Sequence, residues 1–235
     1  MNIVVLTGAG ISAESGIRTF RDSGGLWENE RIEDVATPEA FSANPNRVYD
    51  FYNTRRQQLF DPQLQPNKAH VALAEFARLS SVNMTLVTQN VDNLHERGGS
   101  DNVVHMHGEL LSAKCVKSHE TVRWNGDLTA LNTCQCCQLA QPMRPDIVWF
   151  GEMPLYMERI YQAIETASLF CAIGTSGSVY PAAGFVDIAR QCDVETTLIN
   201  LDETDNGHFD NRYLGKASEC VPRWIESVKA KYELD

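Results

Sequence analysis

"NIVVLTGAGISAESGI", residues 2–17, opens with an apolar, β-branched run and breaks at two glycines. Such a run suits a strand buried on both faces of a parallel sheet. Gly8-Ala9-Gly10-Ile11-Ser12-Ala13 fits G-x-G-x-x-G/A. In that pattern the first glycine makes the turn and the second lets backbone approach a pyrophosphate. The small third residue lets a helix pack on the strand, with its N-terminus facing the phosphates. Alone the pattern is weak, because a tight strand-to-helix turn needs the same residues without a ligand. Two features depart from the ordinary fingerprint. Ser12 and Ser15 add hydroxyls, and no clear strand-ending acid stands about 20 residues on to clamp a ribose. The stretch predicts dinucleotide binding without the ordinary dehydrogenase clamp.

Further apolar runs end in polar or glycine-containing turns: "MTLVTQNVD" (84–92), "NVVHMHG" (102–108), "DIVWFGE" (146–152), "LFCAIGTSG" (169–177) and "TLINLD" (197–202). Helical patterns alternate with them. Ala69, Ala72, Leu73 and Phe76 follow i, i+3, i+4, i+7, as do Ile160, Ala163, Ile164 and Ala167. A third helix is expected from Pro181 and a fourth near 219–231. Strand–helix alternation predicts an α/β fold with a doubly wound parallel sheet. Residues 23–66 and 110–146 break the rhythm and are expected to be insertions. The first carries a loop and at least one helix; the second carries cysteines.

Among 235 residues, 20 Lys and Arg face 31 Asp and Glu, a formal charge of −11. An acidic surface repels phosphate backbones and offers nothing to anionic membranes, so neither nucleic acid nor membrane is an expected partner. Hydrophobic residues make up 43%, enough for a core. No apolar run approaches the roughly 20 residues of a membrane span. The N-terminus reads as a core strand and not a signal peptide. Seven cysteines without an export signal point to a reducing cytoplasm, with free thiols or a metal.

The strand ends share a chemistry. Gln89, Asn90 and Asp92 close one, Gly174, Thr175 and Ser176 another, Asn200 and Asp202 a third. Ligands of open α/β sheets sit outside the carboxyl ends of the strands. Any one of these could be a solvated loop; together they predict one shared site.

Cys134-x-x-Cys137 has zinc-knuckle spacing, and Cys115 stands upstream. Ser118 occupies the place where a partner for Cys115 is expected. A zinc site built on Cys115, Cys134 and Cys137 is the expectation, with His119, Cys136 or water as fourth ligand. Reduced, metal-free thiols are the alternative. Cys171, Cys192 and Cys220 are expected to be thiols without function. His105 and His107 fall on one side if "NVVHMHG" is a strand. They are either zinc ligands folded back over the sheet, or His107 meets the Gln89/Asn90/Asp92 cluster as a base near neutral pH. His105 is expected to be structural, as are His70, His95, His119 and His208.

Val48, Phe51, Tyr52 and Leu59 form an apolar helical face, and Arg55 falls on it. Arginine there is costly unless it lines a cleft or is paired. Tyr52 and Arg55, one turn apart, could hold a carboxylate through a guanidinium fork and a phenol hydroxyl. The alternative is a partly exposed arginine paired with Asp61 or another surface acid.

Six motifs together make the chain similar to the sirtuin family of NAD-dependent protein-lysine deacylases: "GAGISAESGI" (8–17), "TQNVDNLH" (88–95), "HMHGEL" (105–110), "VWFGE" (148–152), "GTSGSVYPA" (174–182) and "NLD" (200–202). They run nearly the length of the chain in family order. The resemblance implies one catalytic unit, 1–235. A Rossmann-like lobe spans about 1–22, 67–109 and 147–235, and a small lobe joins a helical insert, about 23–66, to a zinc-binding insert, about 110–146. It assigns His107 as the catalytic base. It puts Gly8, Ala9, Gly10, Ser12, Ala13, Phe20, Arg21, Gln89, Asn90, Val91 and Asp92 on NAD. Gly174, Thr175, Ser176, Asn200, Leu201, Asp202 and Ala217 join that set. Val148, Phe150, Gly151 and Glu152 are expected on the substrate, with 150–152 pairing as a strand with its backbone.

Two departures are informative: Thr19, and the broken first cysteine pair at Ser118, which resembles certain bacterial members. In "IRTFR" (17–21) Thr19 stands where many sirtuins have an acid. Tyr52-x-x-Arg55 resembles the bacterial class III, desuccinylase-type members. The resemblance therefore implies removal of succinyl, malonyl and acetyl groups from lysines of cytosolic proteins, metabolic ones among them. NAD would be consumed and one structural zinc bound. The acyl oxygen would attack the nicotinamide ribose, nicotinamide would leave, and His107 would deprotonate a ribose hydroxyl that attacks the O-alkylimidate. Free lysine and O-acyl-ADP-ribose would follow. An ADP-ribosyltransferase, an ordinary NAD oxidoreductase and a non-catalytic NAD-sensing module are the rivals.

Overall fold

The computed structural model describes residues 1–18, 26–27, 30–203 and 208–234. Strand β1 (Asn2–Thr7) opens the chain. β2 (Leu26–Trp27) pairs antiparallel with β3 (Glu30–Arg31) and leads to helices α1 (Ile32–Val35), α2 (Pro38–Ala43) and α3 (Pro45–Gln58). Then come α4 (Lys68–Phe76), β4 (Asn83–Thr88), α5 (Leu94–Arg97) and the short β5 (Val104–His105). β6 (Gly108–Cys115), β7 (Thr121–Arg123) and β8 (Met143–Ile147) follow. The chain closes with α6 (Met157–Glu165), β9 (Leu169–Ile173), α7 (Phe185–Gln191), β10 (Glu195–Asn200), β11 (Asn211–Leu214) and α8 (Ala217–Tyr232).

The main sheet is parallel throughout, in the order β11-β10-β9-β1-β4-β5. β1 is central because its residues are apolar on both faces. Ile3 and Val5 pack under Leu73 of α4 and Val221 and Trp224 of α8. Val4 and Leu6 face Ile160 and Ile164 of α6 and Phe185 and Val186 of α7. Period-two alternation along one strand thus serves two helical layers, the doubly wound Rossmann-like arrangement.

β6 carries a second, antiparallel sheet in the order β7-β6-β8. Val48, Phe51 and Tyr52 of α3, with Leu59 at its C-cap, pack with Leu110, Ile147 and Trp149 into a separate core. α3 begins where Pro45 pre-sets the first turn and the Asn44 side chain accepts the Arg47 N–H at 3.2 Å.

Several expectations need correction. No α-helix follows the glycine turn directly; two 3-10 turns, Ala9–Ile11 and Ala13–Ser15, take its place. Gly8 and Gly10 spend their N–H groups on β9 and the residue after it, and Gly16 closes the segment at φ +102°. "DIVWFGE" adds no strand to the parallel sheet. Its first two residues end β8, and Phe150 and Gly151 lie in a turn, with Gly151 at φ +90°. "NVVHMHG" is a strand over β5, and its final Gly108 opens β6. Residues 108–115 form β6. Gly108 turns the chain at φ +81°, and a Cβ there would lie 2.0 Å from the Asp146 carbonyl oxygen. The helix expected from Pro181 begins as a 3-10 turn, Ala182–Gly184, before α7. Among the described residues no helix is long and apolar enough to cross a membrane.

Candidate functional site

The glycine turn and the end of β9 meet backbone to backbone. Gly8 N–H donates to Ile173 O at 2.9 Å and Gly10 N–H to Gly174 O at 2.8 Å. A Cβ on Gly10 would lie 2.7 Å from Gly174 Cα, and one on Gly174 would lie 2.4 Å from Ile11 N. Gly174 also sits at φ +61°, so both positions require glycine. Gln89 Nε2 donates to Thr175 Oγ1 at 3.0 Å and Asn200 Nδ2 to Thr175 O at 3.3 Å. The ends of β4, β9 and β10 are therefore tied together over the turn.

They wall a cleft of about 680 Å³. It is lined by Gly8, Ala9, Gly10 and Ala13 from the turn, and by Gln89, Asn90, Val91, Asp92 and His107 from the β4 and β5 side. Gly174, Thr175, Ser176, Asn200, Leu201, Asp202 and Ala217 complete that half. Tyr52 and Arg55 of α3, with Val148, Phe150, Gly151 and Glu152, line the other. Phe20 and Arg21, with Thr19, lie outside the described residues. Ser12 is fully buried beneath the floor. Sequence reasoning missed Trp149 and Glu14, which also line the cleft.

Ser12 works through its neighbours. Its hydroxyl donates to Asp92 Oδ2 at 3.1 Å and accepts from Asn90 Nδ2 at 3.1 Å. Leu94 N–H donates to Asp92 Oδ1 at 3.0 Å. Burial raises the Asp92 carboxyl above its usual range, against the pull of these donors. Below lie two histidines expected to be merely structural. His70 Nε2 is 3.5 Å from Ser12 Oγ, and His95 Nε2 is 2.9 Å from Thr7 Oγ1. Burial lowers His70 to about 4 and His95 well below its usual value, so both are neutral supports. A polar residue next to the apolar face of α4 was the available signal for His70.

The two histidines of "HMHG" part company. His107 lines the cleft, with Nδ1 3.0 Å from Gln89 O. Nδ1 beside a carbonyl is the protonated nitrogen, which leaves Nε2 the acceptor in the neutral ring. Burial lowers the His107 pKa, partly offset by the Gln89 carbonyl, and keeps a neutral ring available. His105 turns elsewhere, toward Asn90 O, Glu96 and Glu109.

At the other end, Trp149 Nε1 donates to Tyr52 Oη at 3.0 Å. Burial pushes the Tyr52 phenol well up, keeping it neutral. The Arg55 guanidinium lies 3.3 Å over the Phe51 ring and donates to Phe51 O at 2.7 Å. Glu152 accepts two bonds from Arg144, at 2.8 and 2.7 Å, and one from Trp149 N–H at 2.9 Å. Its carboxylate is therefore paired with Arg144, while Arg55 lines the cleft beside Tyr52.

Away from the cleft, Cys115, Cys134, Cys136 and Cys137 bring their sulfurs within 4.8 Å of one another. Cys115 and Cys137 are 3.8 Å apart and Cys136 and Cys137 3.9 Å. Zinc–thiolate bonds of about 2.3 Å at tetrahedral angles require sulfur pairs about 3.8 Å apart, so the donor set fits a structural zinc. The expected three ligands are extended by Cys136; His119 stands outside the group. Ser118 supports it: its N–H donates to Cys115 Sγ at 3.4 Å, and its hydroxyl is 3.0 Å from Cys136 Sγ.

The Sir2 family model matches residues 8–181. An NAD-dependent protein deacylase of Vibrio vulnificus is 55% identical over 234 residues, 99% of this chain and 95% of its own. One from Salmonella typhimurium is 54% identical over 225 residues, 95% of this chain and 82% of its own. A solved mutant Sir2 homologue in complex with 2'-O-acetyl ADP ribose superimposes with a TM-score of 0.86 at 39% identity. That match covers 99% of this chain and 94% of the homologue.

Proposed function

The chain belongs to the Sir2 family, and from that membership we propose an NAD-dependent protein deacylase acting on acylated lysines of cytosolic proteins. The observation that carries the reading is convergence. The glycine turn, the polar ends of β4, β9 and β10, and a neutral His107 all border one cleft. NAD supplies an electrophilic anomeric carbon with nicotinamide as leaving group.

The chain's own residues do the rest. Gly8, Ala9 and Gly10 admit the pyrophosphate close to backbone. Gln89, Asn90, Val91 and Asp92, braced by Ser12, hold the nicotinamide ribose and amide. Thr175, Ser176, Asn200, Leu201, Asp202 and Ala217 hold the adenosine half. His107 accepts the proton of a ribose hydroxyl at Nε2. Val148, Phe150, Gly151 and Glu152 border the acyl-lysine entry, and the extended strand expected there would have to form on peptide binding.

Tyr52 and Arg55 extend the reading to acidic acyl groups, succinyl and malonyl alongside acetyl. A neutral phenol and an always-charged guanidinium, one helical turn apart and both lining the cleft, match a carboxylate. The division into a Rossmann-like lobe and a small lobe of two inserts belongs to the same proposal. The decisive experiment measures nicotinamide release and acyl loss with NAD across acetyl-, succinyl- and malonyl-lysine peptides. Stoichiometric release with acyl loss is expected; labelled ADP-ribose on protein without acyl loss would overturn the reading.

A further inference from the structure

Beside the cleft, three elements that the proposed chemistry leaves unused converge on one ring. His105 of β5 is 6% exposed. Its Nε2 is 2.7 Å from Glu96 Oε1 of α5 and 3.5 Å from Glu109 Oε1 of β6. Its Nδ1 is 3.2 Å from the Asn90 carbonyl. Both nitrogens face acceptors that cannot donate, an arrangement satisfied only when both carry protons. An ordinary core histidine needs one donor and one acceptor; this site is built for a cation.

We propose that His105, as an imidazolium, is a positioning residue for the nicotinamide end of the site. Nδ1–H grips the Asn90 carbonyl while Glu96 and Glu109 hold the far side of the ring. The proposal rests on the reading that Asn90 and Asp92 bind NAD. His105 and His107 then hold two successive carbonyls, those of Asn90 and Gln89. The clamp fixes the segment from which Asn90 reaches Ser12 and Asp92 accepts from it. Without His105 the Asn90 carbonyl loses its charged donor in a buried place, where an unmet acceptor is costly.

The charges around the ring agree. Burial alone would lower its pKa, but the Glu96 contact, the Glu96 and Glu109 charges and the Asn90 carbonyl outweigh it, and the net shift is upward. The other titratable groups that feel it are Asp92, drawn down by its charge, and His95, pushed further down. Raising the pH above that pKa removes the Nε2 proton, breaks the bond to Glu96 and loosens the clamp.

Steady-state kinetics on the full chain test this. In His105→Asn the side-chain amide replaces Nδ1–H but cannot reach Glu96; His105→Leu replaces neither nitrogen. The expected result for His105→Leu is a KM for NAD raised about tenfold, the scale of one lost charged hydrogen bond. KM for peptide stays within about twofold, and His105→Asn recovers most of the loss. In wild type KM for NAD should rise on the alkaline side only toward the His105→Asn value; in His105→Asn it should be flat. Should the Leu variant not fold, Glu96→Gln serves, and it should move the alkaline rise to lower pH. An unchanged KM for NAD in His105→Leu, equal impairment in the Asn and Leu variants, or an unmoved rise in Glu96→Gln overturns the proposal. Asn90→Ala separates the layers. Intact NAD use in that variant sinks the underlying site assignment; collapse there with normal kinetics in His105→Leu sinks only the clamp.

Discussion

Trp149 donates its indole N–H to the Tyr52 hydroxyl across 3.0 Å, joining the segment after β8 to helix α3. Tyr52 itself is fully buried, so its oxygen is held in one place by packing and by this bond. The acyl-carboxylate reading thus acquires a graded set of substitutions. Arg55→Met removes the charge and should raise KM for a succinyl-lysine peptide roughly a hundredfold, as losing a charge-assisted bond of about 3 kcal/mol does. Tyr52→Phe should cost about tenfold. Trp149→Phe, which frees the phenol without removing it, should fall between wild type and Tyr52→Phe. Acetyl-lysine kinetics should move less than about threefold in Arg55→Met. Desuccinylation that survives Arg55→Met intact would remove the pocket.

His107 gives the second prediction. A positioned general base contributes roughly 10²–10⁴-fold. His107→Ala should lower kcat by that order while nicotinamide exchange, which needs no base on the ribose, falls less. The pH profile carries the sign. The base must be neutral, and burial lowers its pKa below 6.5. Wild-type kcat should therefore reach its plateau at lower pH than a free imidazole would allow. A limb centred above 6.5, or one that persists in His107→Ala, would assign the titration to another group.

How much of this was legible follows from the kind of signal. Gly8, Gly10 and Gly174 were readable because close backbone approach leaves only glycine. The β1 face pattern was readable because both layers are apolar. The helix after Gly10 was not, because the competing bonds to Ile173 and Gly174 come from a strand more than 150 residues away. The run at 146–152 did not join the main sheet, because an apolar run does not reveal that β8 pairs antiparallel with β6. His70, His95 and His105 looked alike in sequence. Only their partners, Ser12, Thr7 and the Glu96–Glu109 pair, divide neutral supports from a cation.

The cysteine group predicts a metal-dependent small sheet. Cys115 ends β6, and the other three sulfurs lie in the loop between β7 and β8. Four thiolates at zinc-like spacing should bind one zinc per chain. Cys136→Ala should lower occupancy and the melting temperature, whereas Ser118→Ala should retain zinc. Chelation should lower the melting temperature of the wild type with less effect on isolated NAD binding, since the cleft lining includes none of the four. Full zinc in Cys136→Ala would return the fourth position to water.

The buried histidines set the acid limit of stability. His70 is fully buried and sits at about 4 in the folded chain, against 6.5 when free. A depressed histidine binds its proton more readily unfolded than folded, so its contribution is complete above 6.5 and is lost as the pH falls toward 4. One pKa unit corresponds to about 1.4 kcal/mol, so His70 alone accounts for at most roughly 3–4 kcal/mol across that window. His95 acts in the same direction. His105 opposes them, because a raised histidine stabilises below 6.5. The raised Asp92 opposes them too, since it binds its proton more readily when folded. Two depressed imidazoles in a buried layer beneath the cleft should outweigh these, and the denaturant midpoint should fall between pH 6.5 and 4.5. His70→Gln keeps a polar side chain near Ser12 but cannot titrate. It should lower stability at pH 7.5 by weakening the α4 cap, in which His70 Nδ1 accepts the Asn67 N–H at 3.3 Å. It should also flatten the acid slope. A slope unchanged from wild type would show that His70 takes up its proton without unfolding the layer, and the acid limit would then pass to His95.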